Sequence, residues 1–187
     1  IPDAEVRDAA FQQHNDWVLD YCSVDRNRLI GVGCLPLPDV DRAITEMDRS
    51  ASRGVKGFAI PAHVDPALPY NDPTFDPFWA RAQEHGVPLT MHIFTGQTLD
   101  GGLPAHWGTP GGNLKGYTLA HTTAVNTMID IICGGVVERF PQLKFVISEY
   151  ETGWVAHTLQ RLDHAAYRTP WELADGLTMK PSEYFDR

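Results

Sequence analysis

Reactive side chains are spread thinly along this sequence, and two of them stand near the ends of apolar runs. His92 lies in PLTMHIF (Pro88 to Phe94) and Glu149 in KFVISEY (Lys144 to Tyr150). If the first run is a strand, Leu89, Met91 and Ile93 share one face and Thr90, His92 and Phe94 the other, so His92 points with Thr90 into an interior or crevice. A neutral imidazole in that position can serve as a metal ligand or a general base. The plain alternative is a histidine hydrogen-bonded within a core. Glu149 follows Phe145 and Ile147 on one face, and a carboxylate at the buried end of an apolar strand must be paired, ligated or protonated. A salt bridge to an arginine is the simpler account of it.

The remaining histidines carry less. His14, His85 and His106 fall on helix surfaces or in a loop and read as solvated. His63 follows a strand end but sits beyond Pro61 in a proline-rich loop, where solvation is favoured and substrate contact is the alternative. His121 opens a helix, which it caps unless it reaches the site. His157, Arg161 and His164 recur at spacings of four and three on one helical face, as a solvated polar face would. No H-x-H, H-E-x-x-H, C-x-x-C or G-x-S-x-G occurs, so no self-contained metal or nucleophile motif is present.

The elements that position these residues follow a repeated order, a polar periodic stretch and then a short β-branched run. A helix over about Ala4 to Tyr21, with Val6, Ala10, Trp17 and Val18 inward, precedes a strand within Leu29 to Leu37. Asp39 is a good N-cap for a helix carrying Val40, Ala43, Ile44, Met47 and Ala51, and Gly54 suits its left-handed end. Val55 to Ile60 is the second strand. A helix near Asp76 to His85, with Phe78, Trp79 and Ala82 inward, leads to the third at Pro88 to Phe94. Thr95 to Gly116 is rich in glycine and reads as a long functional loop around Trp107, covering the pocket. A helix over about Leu119 to Arg139, weakened at Gly134 and Gly135, precedes the fourth strand at Lys144 to Tyr150. A helix from about Gly153 to Tyr167 follows, then a polar tail with a short helix near Pro181 to Phe185. Strands alternating with helices predict an α/β fold with parallel pairing, either doubly wound or a (β/α)8 barrel, with function at the carboxyl ends of the strands. Neither G-x-G-x-x-G nor a Walker sequence follows any strand, which lowers the nucleotide-binding reading.

Composition narrows the partners. The 187 residues carry 24 acidic and 15 basic side chains, for a formal charge of −9. That excess argues against nucleic acid or an anionic membrane. With 43% apolar and 21% charged residues the chain can bury a globular core, and no apolar run approaches the length of a membrane span. Cys22, Cys34 and Cys133, odd in number and widely spaced, together with an N-terminus lacking the basic and apolar regions of a signal peptide, predict a reduced, cytoplasmic protein.

Three longer phrases together look familiar. RLIGVGCLPLPDVDRAITEMDRSASRGVKGFAI, FDPFWARAQEHGVPLTMHIF and GGVVERFPQLKFVISEYETGWVAHTLQRLD resemble the amidohydrolase-related family of metal-dependent (β/α)8 barrels that includes aminocarboxymuconate semialdehyde decarboxylase. The resemblance implies that His92 ligates a divalent metal, with zinc expected. It also implies that Arg161 matches a family arginine that binds a substrate carboxylate, sometimes across a dimer interface, so a homodimer is expected. The family's decarboxylases carry a histidine at the end of the next strand. Aligning LKFVISE from its start puts Glu149 there, and counting back from Arg161 puts Tyr150 there.

The family's first strand carries an H-x-H or E-x-H pair and a late strand an aspartate, and neither has a counterpart in these residues. The expectation is therefore a partial (β/α)8 barrel, with residues 1–187 as one domain holding its central strands and helices and lacking its first and last strands. A complete barrel takes about 250 residues, which agrees with a fragment. The implied activity is metal-dependent decarboxylation or hydrolysis of a small carboxylated compound, with Glu149 in acid/base or supporting work and Arg161 as carboxylate anchor. The alternative is a non-catalytic barrel fragment or binding protein without a complete metal site.

Overall fold

A computed structural model describes residues 3–62, 64–93, 95–96 and 109–186 of the chain. In order, its elements are α1 (Ala4–Cys22), β1 (Val32–Cys34), α2 (Val40–Arg53), β2 (Gly57–Ile60), α3 (Asp76–His85), β3 (Leu89–His92), α4 (Gly112–Leu119), α5 (His121–Cys133), α6 (Val136–Arg139), β4 (Phe145–Ser148), α7 (Val155–Arg168) and α8 (Pro181–Phe185). The strands form one sheet in the order β1-β2-β3-β4. β1 pairs parallel with β2, placing Val32 beside Gly57, and β2 pairs parallel with β3, placing Ile60 beside Met91. Sequential order with a helix between neighbouring strands is the repeated strand-helix unit that the alternating pattern predicts.

The chain divides into two compact units. One comprises residues 1–60, 74–91 and 142–146, and the other residues 61–73, 92–141 and 147–187. In the first unit, α2 begins where expected. The Asp39 carboxylate accepts the Arg42 N–H at 3.1 Å, and Gly54 ends the helix at φ 111°. Ala43 and Met47 are fully buried, as are Phe78, Trp79 and Ala82 of α3. Arg81 ties α3 to α2 through a two-point grip on Asp48 at 2.6 and 2.9 Å, and His85 Nε2 reaches the same carboxylate at 2.7 Å.

α1 departs from the expected pattern. Val6 and Trp17 are exposed, and the one fully buried side chain of the helix is Asn15. Its amide donates to the Cys34 carbonyl at 3.0 Å and accepts the Cys34 N–H at 2.7 Å, thereby taking up both backbone groups of a strand residue. The same amide nitrogen donates to Glu46 at 2.6 Å, and Ser50 donates to that carboxylate at 2.6 Å. A polar contact orients this helix, and hydrophobic spacing alone does not reveal it.

In the second unit, the single long helix expected over Leu119 to Arg139 is two helices, α5 and α6, and residues 112–116, expected as loop, begin the helix α4. Gly135 at φ 77° separates α5 from α6. Gly134 has no room for a side chain, since a Cβ there would lie 2.1 Å from the Asn71 Cβ. The core of this unit is Met128, Ile132 and Tyr184, against which Ile147, Trp154 and Leu159 pack. α8 falls where expected, with Asp163 accepting from the Ser182 N–H and hydroxyl at 2.9 and 2.7 Å.

Candidate active site

The carboxyl ends of β3 and β4 deliver polar groups into the second unit. His92 is the last residue of β3. Glu149 lies one residue past β4, at φ 61°, and Glu151 follows at φ 57°. Glu149 is thus exposed beyond the strand, not held at its buried end as the alternation suggested. The two side chains meet: His92 Nε2 is 2.7 Å from Glu149 Oε2, with 49% and 69% of the side chains exposed, so both are open to a ligand. On the other side of the ring, His92 Nδ1 is 2.9 Å from the Ile93 carbonyl. A carbonyl only accepts, so Nδ1 carries a proton. Nε2 is then a lone pair facing a protonated Glu149 or a cation, or an N–H facing the carboxylate. A ring whose Nδ1 proton is held by a backbone carbonyl is oriented as metal-ligating histidines are.

His92 is also braced through its backbone. Its carbonyl accepts from Thr95 Oγ1 at 2.7 Å and from the Tyr150 hydroxyl at 3.3 Å. Thr95 Oγ1 in turn accepts the Ala62 N–H at 3.0 Å, and the Ala62 carbonyl accepts from Thr127 Oγ1 at 2.7 Å. Tyr150 also lies 3.2 Å from Thr123 Oγ1, and Thr123 and Thr127 stand one turn apart on α5. The chain leaving β2, the end of β3 and the turn after β4 are therefore tied to one helix by side-chain hydroxyls. Tyr150 is 4% exposed. Burial pushes its phenol above the ordinary range, against the smaller lowering effect of the Thr123 bond, so it remains a protonated donor.

An open cleft of about 650 Å³ adjoins this pair, lined by Ile93, Tyr117, Thr118, Ala120, His121, Glu149, Tyr150, Glu151, Gly153 and Trp154. Among the described residues, no lysine or arginine is in that lining. Arg161 is exposed on α7 and does not line the cleft, and His157 and His164 are exposed on the same helix. His63, Phe94, His106 and Trp107 lie outside the described residues, as does most of the glycine-rich stretch expected to cover the pocket.

The structure thus joins His92 to Glu149 and leaves Arg161 apart from them. Residue-by-residue reading missed Thr95, Thr123 and Thr127 as a brace and Trp154 as lining. Two threonines one turn apart, Thr123 and Thr127, beside the apolar positions Ala124, Met128 and Ile131 of α5, were the available signal. For a divalent cation, an imidazole nitrogen beside a carboxylate oxygen is the right donor chemistry. Among the described residues, however, no group of three histidine, cysteine, aspartate or glutamate side chains could hold a metal ion. The pair is a partial ligand set, since a catalytic zinc takes about three protein ligands.

Parallel strands in chain order with intervening helices, and polar groups gathered past their carboxyl ends, define an α/β barrel segment. The chain belongs to the amidohydrolase family, whose model matches residues 2–186. It is 28% identical over 180 residues to gamma-resorcylate decarboxylase of Rhodococcus jostii, covering 91% of this chain and 53% of that protein. The 5-carboxyvanillate decarboxylase of Sphingomonas paucimobilis superposes with a TM-score of 0.74 at 28% identity, over 99% of this chain and 54% of that one. The 5-carboxyvanillate decarboxylase of Novosphingobium aromaticivorans, solved with bound manganese, shares the fold with a TM-score of 0.75 at 21% identity, over 98% of this chain and 53% of that one. The fold is that of a partial (β/α)8 barrel, and the chain spans about half the length of the curated relatives it matches.

Proposed function

We propose that residues 1–187 are the central part of a single barrel domain, in a cytoplasmic enzyme that removes the carboxyl group of a small aromatic carboxylic acid with the help of a divalent metal, zinc or manganese. The observation that carries this is the His92–Glu149 contact, made where the two strands end and with the His92 Nδ1 proton held by a carbonyl. When bound, the metal supplies positive charge that holds and polarises the substrate's oxygens. The cleft's own charge supports the need for it: among the described residues Glu149 and Glu151 line it without a lysine or arginine, so an anionic substrate calls for a cation there.

In this reading His92 is a ligand through Nε2. The other ligands lie outside the described residues. Glu149 accepts or returns a proton beside the ring, as decarboxylation requires when the C–C bond breaks, carbon dioxide leaves and the ring carbon takes up a proton. The relatives' names, gamma-resorcylate decarboxylase and 5-carboxyvanillate decarboxylase, support a single-ring acid and a carboxy-lyase over a hydrolase. Arg161, exposed and away from its own cleft, suits a carboxylate anchor that reaches the site of a second copy in a homodimer.

Metal analysis of the intact protein, paired with carbon dioxide release from a panel of hydroxylated aromatic acids, tests the proposal. His92→Ala is expected to lose both the metal and the activity. Unchanged metal content and turnover in that variant would overturn it.

A further inference from the structure

We propose that His121 and Trp154 form the shelf on which the substrate's ring lies, and that this pair sets the cleft's preference for planar acids. The inference rests on the reading of the cleft as a carboxylate-binding site. Both residues line it, with ring centroids 6.2 Å apart and planes 22° from parallel. That is an offset stack, and both residues are half-buried, with part of each side chain still open at the cleft.

Each ring is also locked in orientation by a polar edge bonded to backbone. Trp154 Nε1 donates to the Tyr150 carbonyl at 2.8 Å, and His121 Nδ1 is 3.2 Å from the Thr118 carbonyl. The indole further rests on the Met128 and Ile132 cluster, so the shelf has solid backing. Rings fixed before a ligand arrives lose little entropy on binding, which favours a rigid flat partner over a flexible one. Among the described residues, the lining holds no lysine or arginine. The rings of His121 and Trp154 thus offer the substrate's carbon skeleton a stacked, orientation-fixed pair, the carboxylate being held elsewhere.

The test compares benzoate with cyclohexanecarboxylate, two acids of the same charge that differ in planarity, as titrated by calorimetry against the manganese-loaded intact protein. Wild type is expected to favour benzoate by about 5-fold, the range of one stacking contact. His121→Leu should bring the ratio close to one, and His121→Phe, which restores a plane without a hydrogen-bonding edge, should restore the preference. Trp154→Leu should act in the same direction. Because it also removes packing from the core cluster, the His121 pair decides the matter. An unchanged ratio in His121→Leu, or a wild type that binds neither acid, overturns the shelf. A protein that releases carbon dioxide from no acid tested, yet loses its ring preference in His121→Leu, overturns the decarboxylase reading and leaves the shelf standing. An active enzyme with an unchanged ratio does the reverse.

Discussion

Glu149 sits at φ 61°, in the left-handed region that costs a residue with a side chain about 1 kcal/mol or more. That conformation turns its carboxylate to His92 while Tyr150, the next residue, is buried. Glu149→Gly relieves the backbone and is expected to leave stability unchanged or up to about 1 kcal/mol higher in urea denaturation, while carbon dioxide release falls. Strain offset by function in this way is common where a site is built on a turn. Tyr150→Phe removes one hydroxyl from the brace but leaves the His92 carbonyl its bond from Thr95. Its expected cost is therefore limited to about 1 kcal/mol, read from the same measurement.

Elements meet through polar contacts as much as through apolar ones. α1 is held to β1 and α2 by Asn15, whose amide is shared among Cys34, Glu46 and Ser50. Asn15→Leu leaves the Glu46 carboxylate short of a donor and the Cys34 N–H without its acceptor. A loss of about 3 kcal/mol is expected in thermal or chemical unfolding. Burial is the largest single influence on Glu46 and opposes its ionisation, yet the bonds from Arg49, Ser50 and Asn15 together outweigh it and hold the carboxyl below its ordinary value of 4.5. A group depressed in the folded state adds stability above its unfolded value, and that stability is lost as pH falls through the folded one. Unfolding midpoints followed from pH 7 downward should hold until about 4.5 and decline below it, and Glu46→Gln should flatten that decline. At the end of α5, Gly134→Ala would drive a methyl group into Asn71 and the Asp130 carbonyl. A destabilisation of about 2–3 kcal/mol is expected there from overpacking alone.

At the scale of the whole molecule, the proposed metal and the proposed dimer have separate signatures. Chelation should lower the melting temperature of the intact protein, and adding manganese back should restore it, because a ligand bound only by the folded state stabilises it. Arg161→Met should leave metal content unchanged and raise KM for a carboxylate substrate by about 10-fold or more, the worth of a charge-assisted hydrogen bond. Mixing Arg161→Met with His92→Ala protein should recover part of the activity if the arginine serves a partner's site.

Much of this was legible in the residues themselves. Short-range rules suffice for the caps at Asp39 and Gly54, the buried face of α3, the strand-helix alternation and the tail helix at Pro181–Phe185, because hydrogen bonding within four residues and side-chain periodicity decide them. His92 and Glu149 could be picked out because polar groups ending apolar runs are expensive without a role. The inward face of α1 could not, since the Asn15 contacts cross 19 to 35 positions of sequence. Nor could the break between α4 and α5, the left-handed turn that exposes Glu149, or the brace from Thr127 through Ala62 and Thr95 to His92. Sequence by itself determined the order of the elements and which residues had chemistry to offer. Only the tertiary structure decided which of them touch, placing His92 against Glu149 and Arg161 apart from both, because such pairings depend on contacts between residues remote along the chain.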